Sequence, residues 1–363
     1  MSNKIITIAD EEYHYSSGYY TMNKWIDNDN VVIARSKSQT IGVKQNPYED
    51  TVEIIKVSLK TGEITVLCDD SLNFAEHVVY GNKVYYSTGK ELKVIDTLTG
   101  EIKILYENST YLNEFAKGGL YNGEMGLMHS PHITNDGKTI SLFIPRDNEA
   151  AVFISVNTET GEAKEVFRKK FEGPFFWANH CMVCPENPDL FFFAHEGTTF
   201  YISNRLWIYD AKTQKAWNIA KQRLDDDGNL GDCYGHEMWA PDGKGMYFVK
   251  YKCSPTPPRG ICYADIQTGK ADLLYSSYGY WHVGVSDDGR YLTSDTQTGL
   301  DFSEVVIIDR QTNTETVIDH AKTNWTHPCH PHPQMSKDNQ KIMYTALNDQ
   351  GRTCTKIALL DLI

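Results

Sequence analysis

A seven-bladed β-propeller is the fold this sequence predicts. Three observations predict it: a Thr-Gly-type turn that recurs six times, an Asp-Gly hairpin upstream of it, and a chain end that falls where a seventh turn would begin. The turn reads Ser58-Leu-Lys-Thr61-Gly62-Glu63, Asp96-Thr-Leu-Thr99-Gly100-Glu101 and Asn157-Thr-Glu-Thr160-Gly161-Glu162 in the first half. In the second half it reads Asp210-Ala-Lys-Thr213-Gln214-Lys215, Asp265-Ile-Gln-Thr268-Gly269-Lys270 and Asp309-Arg-Gln-Thr312-Asn313-Thr314. Apolar β-type runs such as Leu206-Trp-Ile-Tyr209 precede these turns, and short strands such as Glu63-Ile-Thr-Val-Leu67 follow them. Gly or Asn late in the turn supplies the positive φ that a tight hairpin needs.

The second signature is Thr134-Asn-Asp136-Gly137, Ala240-Pro-Asp242-Gly243 and Ser286-Asp-Asp288-Gly289, with Ser336-Lys-Asp338-Asn339 as a weaker copy. Asp-Gly between alternating apolar residues marks a hairpin. Each unit therefore holds about four strands, the size of a propeller blade. Seven units fit, roughly 24–70, 71–110, 125–170, 178–222, 234–277, 280–320 and 328–363. The last lacks its outer strand, and Lys4-Ile-Ile-Thr-Ile8 is expected to supply it and close the ring, leaving no open sheet edge. No linker divides the chain, so residues 1–363 read as one propeller domain.

Composition fits a large all-β domain, with 12% aromatic residues, 22 of them Tyr, and 40% hydrophobic residues. The formal net charge of −13 argues against nucleic acid or an anionic membrane as partner, since either needs a basic face. It leaves room for an acidic sugar in a locally positive pocket. The start carries no apolar leader, and no apolar run approaches a membrane span. Eight scattered cysteines then read as reduced thiols in a cytoplasmic protein. Cys181-Met-Val-Cys184 has the spacing of half a zinc site or a redox pair, but no second such pair exists, and two buried thiols are expected.

Histidines recur in phase. His236, His282 and His332 each stand six residues before an Asp-Gly-type hairpin, and His180 stands six before Glu186. His129 and His132 lie near this position in another unit. Four equivalent inner-strand positions would converge on the central channel. The densest cluster is Thr326-His327-Pro328-Cys329-His330-Pro331-His332-Pro333. His330 and His332 are two apart and point the same way on an extended strand, and the prolines forbid a helix. They form a half-site for a divalent metal that His282 can complete, with His327 a fourth ligand if the chain bends at Pro328. Arg205 on an apolar strand calls for a reason. It is either a fork for a substrate carboxylate or the partner of Glu196 or Glu237.

At these residues the sequence resembles the oligogalacturonate lyases, cytoplasmic seven-bladed propeller enzymes of pectin breakdown. The matching strings are His195-Glu196-Gly197, Arg205-Leu-Trp207, His236-Glu237-Met-Trp239-Ala-Pro241-Asp242-Gly243 and His330-Pro-His332-Pro333, in order along nearly the whole chain. The resemblance implies a divalent metal, Mn²⁺ above all, on His282, His330 and His332. It also implies an amide as fourth ligand, where this chain has His327. It implies β-elimination on an acidic oligosaccharide: a base takes the C5 proton beside the uronate carboxylate, O4 leaves, and a 4,5-unsaturated uronate results. A cation on the carboxylate would stabilise the developing charge. His236 is the expected base. Arg205 is expected to hold a substrate carboxylate or act near C5, and His195 to bind or orient substrate. The alternatives are a TolB-like propeller that binds a protein or peptide without catalysis, and a lyase or hydrolase for another uronate glycan. Oligomeric state is not readable from these features.

Overall fold

The computed structural model describes residues 4–19, 21–38, 52–71, 77–109, 127–145, 151–173, 177–197, 201–224, 227, 231–299, 301–326 and 328–360. Its strands form seven four-stranded antiparallel sheets. In chain order they span residues 14–71, 77–107, 129–169, 177–220, 234–275, 280–322 and 334–359, the last taking Lys4–Ile8 as its fourth strand. Lys4–Ile8 runs antiparallel to Thr353–Leu359, with Lys4 opposite Leu359 and Ile8 opposite Thr355. The edge left by the short final repeat is thus covered as expected.

The turn chemistry is local and repetitive. Asp96 Oδ1 accepts the N–H groups of Leu98 and Thr99, and Gly100 follows at φ 75°. Asp265 does the same for Gln267 and Thr268, with Gly269 at φ 65°. Gln214 and Asn313 adopt φ 56° in the place of that glycine. In the upstream hairpins a hydroxyl donates to the Asp two residues on: Thr134 to Asp136, Ser286 to Asp288 and Ser336 to Asp338. Each Asp also accepts the backbone N–H of the residue two further on in the same turn.

Middle strands such as Asn30–Ser36 (iBBBBiB) are buried on both faces, whereas outer strands such as Ile64–Ser71 (eeeiBeiB) are largely exposed. Sheets that pack on both faces need continuous apolar runs, and outermost strands do not. One difference from the sequence expectation is the first sheet. It begins at His14–Ser16, upstream of residue 24. That strand has only three residues, too few to show an alternation.

The chain divides into two compact units. The first is Met1–Thr88, Val94–Lys103 and Trp281–Ile363; the second is Gly89–Lys93 and Ile104–Tyr280. In the first, Val305, Ile307, Ile342 and Tyr344 join the last two sheets, and Tyr15, Ile33, Met343 and Ile357 join the last sheet to the one at 14–71. In the second, Phe153, Phe191, Phe193 and Tyr209 fill one inter-sheet layer, and Met182, Phe192, Ile208, Trp239 and Phe248 fill the next. The eight cysteines are free thiols, and Cys181 and Cys184 are buried in these layers, as expected. No described helix is long and apolar enough to cross a membrane.

Candidate functional site

Three of the four phased histidines sit at a backbone irregularity. His180, His236 and His332 adopt φ 54°, 53° and 46°, and Ser130, six residues before Asp136, adopts φ 52°. The strand register slips around Ser130 between His129 and His132, around His180 between Asn179 and Met182, and around His236 between Gly235 and Met238. A bulge of this kind re-aims the side chain it carries, and a left-handed non-glycine residue costs energy that the surrounding sheet must hold in place. The repeated feature is therefore a strained, redirected position. Ser130 fills it in the third sheet, which leaves His129 and His132 to packing. His129 stacks on Phe143 at 5.5 Å, and His132 Nδ1 lies 2.9 Å from the Ser130 carbonyl.

In the first unit, His282, His330 and His332 come together. One ring nitrogen from each lies within 4.8 Å of the other two. All three are buried, with ring centroids 4.0 Å apart for His282–His332, 5.5 Å for His330–His332 and 5.7 Å for His282–His330. The expectation of an extended strand here is corrected. Residues 328–333 form no strand, since Pro331 and Pro333 have no N–H for a ladder, and pairing resumes only at Gln334–Met335. The N–H of His332 donates instead to Asp295 Oδ2 at 3.1 Å.

Asp295 organises the cluster. It is fully buried, and its carboxylate accepts the His282 backbone N–H at 2.9 Å and the His282 Nδ1–H at 2.7–2.8 Å. Burial pushes this carboxyl up to about 7, against the pull of the His332 N–H, His330 and the His282 N–H. His330 Nε2 lies 3.1 Å from the Trp325 carbonyl, and burial pushes its imidazole down, toward the neutral form that binds metals. With those nitrogens so placed, His282 Nε2 and His330 Nδ1 are the ones that could face a cation, and both are buried, as is His332 Nε2. Trp325 stands edge-on to His330 at 5.4 Å, Trp281 to His282 at 6.5 Å, and Tyr19 lies 5.0 Å from His332. Three buried imidazoles, one held by a buried carboxylate and one by a carbonyl, fit a divalent metal with open positions for oxygen ligands. His327, expected as a fourth ligand, lies outside the described residues.

The second unit carries a different network. Arg205 is buried, with Nε 2.5 Å from Glu237 Oε1 and Nη2 2.8 Å from Glu196 Oε1. Glu196 Oε1 is also 3.3 Å from His180 Nε2. Burial would raise the Glu196 carboxyl, but Arg205 and His180 together hold it well below the carboxylate range. Arg205 thus pairs with both carboxylates weighed as its partners, and this edge of its fork is filled by protein. His195 donates its backbone N–H to the Arg205 carbonyl at 2.7 Å, has Nδ1 3.1 Å from Asn204 Oδ1, and stacks on Phe171 at 3.7 Å. His236 meets Tyr251 edge-on at 5.5 Å. Gly235 beside it has no room for a Cβ, which would lie 2.2 Å from the Tyr251 hydroxyl.

No protein-family model matches the chain. An oligogalacturonide lyase of Pectobacterium atrosepticum is 23% identical over 225 residues, 55% of this chain and 53% of the relative. The chain thus spans about half the length of the curated relatives it matches. A solved oligogalacturonate lyase in complex with manganese superposes with a TM-score of 0.75 at 16% identity, covering 99% of this chain and 98% of the other. The oligogalacturonate lyase of Vibrio parahaemolyticus gives 0.73 over 99% and 97%. The chain is similar to the oligogalacturonate lyases. It shares their fold, a seven-bladed β-propeller.

The sequence expectation named the three histidines that the structure brings together but missed what holds them. Asp295 went unremarked, although an acid inside Tyr291–Thr296, a strand buried at every residue, was a readable sign. His180 was left without a role and proves tied to Glu196.

Proposed function

We propose that this chain is an oligogalacturonate lyase that cleaves short oligogalacturonates by β-elimination, with a divalent metal, Mn²⁺ first among them, at His282, His330 and His332. The observation that carries the reading is the convergence of these three buried imidazoles within 4.8 Å over Asp295, in a chain similar to oligogalacturonate lyases. When bound there, the cation supplies positive charge to the uronate carboxylate and stabilises the charge that develops as the C5 proton leaves. His236 takes that proton. Its bulge aims the imidazole away from the ladder direction, and Tyr251 limits its rotation. Arg205 acts on this site chiefly through Glu237, the residue after His236, which it holds in place. His195, pinned by Asn204 and covered by Phe171, orients the neighbouring strand on the substrate side.

The test is incubation with galacturonate oligomers and Mn²⁺, following the ultraviolet absorbance of the conjugated uronate. The expected product carries a 4,5-unsaturated residue at its new non-reducing end. Failure to form an unsaturated product from any uronate oligomer overturns the reading and leaves a binding propeller in its place.

A further inference from the structure

We infer that His180, backed by Glu196, is the acid that protonates the departing O4, the partner of His236 in the elimination. The inference rests on the lyase reading above and adds the proton donor it lacks.

Elimination moves two protons. As the base takes the C5 proton, the C5–H electrons form the C4=C5 bond. The C4–O4 bond breaks with its electron pair on oxygen, and that oxygen must gain a proton to leave as the hydroxyl of a new reducing end. A sugar alkoxide is a poor leaving group, so a positioned acid is worth a large factor. Five described histidines lie in the second unit, and His129, His132 and His195 are buried. His180 and His236 are partly exposed. These two occupy the same bulged position, at φ 54° and 53°, in consecutive sheets that pack against each other.

Ion pairs connect the two bulges. His180 Nε2 lies 3.3 Å from Glu196 Oε1, Glu196 Oε1 accepts Arg205 Nη2 at 2.8 Å, and Arg205 Nε reaches Glu237, the neighbour of His236. Carboxylate backing distinguishes His180. Glu196 fixes which ring nitrogen faces it, so the proton exchanged with substrate is carried at Nδ1 while the ring keeps its orientation. The Asn179 side chain accepts the His180 N–H at 2.6 Å and holds the bulge itself. After the elimination His180 is neutral and His236 is protonated, and solvent restores both.

The test compares H180Q and H180N with wild type on a galacturonate trimer and on a galacturonide bearing a 4-nitrophenyl ether at C4, whose phenolate leaves without help. Mn²⁺ binding verifies that each variant is folded, and the two variants together ensure that one carries the comparison. On the trimer, kcat is expected to fall roughly 10²-fold or more, with little loss on the aryl ether. Equal losses on both substrates, or full activity on the trimer, overturn the proposal while the lyase reading stands. No unsaturated product from wild type overturns both.

Discussion

The Asp295 carboxylate lies 2.7 Å from His282 Nδ1 and also takes the backbone N–H of His332, so one buried acid orients two of the three clustered histidines. Replacing it by Asn keeps the volume but removes the charge that fixes the His282 tautomer. D295N is expected to stay folded and to bind Mn²⁺ about 10–100-fold more weakly, measured by titration calorimetry. Unchanged affinity would show that the carboxylate does not position the ligands.

Metal should also report on stability. A cation bound only by the folded chain stabilises it by about 2.7 kcal/mol at a hundredfold excess over Kd. Thermal unfolding is expected to rise with Mn²⁺ and to fall back with a chelator. H332A should lose this response, because it removes one of the three ligands. A metal-dependent shift that survives in H332A would place the cation elsewhere.

Gly284 sets a close approach between the His282 strand and the proline segment. A Cβ there would lie 2.5 Å from Thr293 Oγ1 and 2.8 Å from the Pro333 carbonyl oxygen, which itself accepts the Thr293 hydroxyl at 2.7 Å. G284A must push that backbone away from His332. It is expected to cost about 1–3 kcal/mol in denaturant unfolding and to weaken Mn²⁺ binding. A neutral G284A would mean the segment yields without consequence.

Arg205 joins two carboxylates in a buried site, so truncating it strands both. R205A is expected to destabilise by about 3–5 kcal/mol, and R205K to recover only part, because an ammonium cannot reproduce the fork. Chemical denaturation measures both. If R205A unfolds at the wild-type midpoint, the pairing with Glu196 and Glu237 contributes nothing to stability.

The same network predicts an acid limb. Glu196 is held below its ordinary value of 4.5 in the folded chain, so its contribution is fully present above that value. Stability is lost as pH falls below it, toward the depressed folded-state value. E196Q is expected to flatten this limb in the pH dependence of unfolding. An identical acid limb in E196Q would assign it to other carboxylates.

The repeat count, the covering strand and the clustered histidines were legible in the sequence because each depends on local, repeated information. Thr-Gly turns and Asp-Gly hairpins encode their own geometry, so seven units could be counted. His282 and His332 were found by their phase relative to those hairpins, and His330 by its place two residues from His332 in a proline-rich cluster. The rest was decided by tertiary structure. The left-handed backbone at His332 and the Asp295 contact arise because Pro331 and Pro333 cannot extend a ladder, and a carboxylate on a neighbouring strand takes the amide instead. Arg205 could have faced a substrate or a protein acid. Only the packing of the strand ending in Glu196 and the strand bearing Glu237 around it showed that its charge is matched from within, since a buried guanidinium must find its counter-charges wherever the fold supplies them.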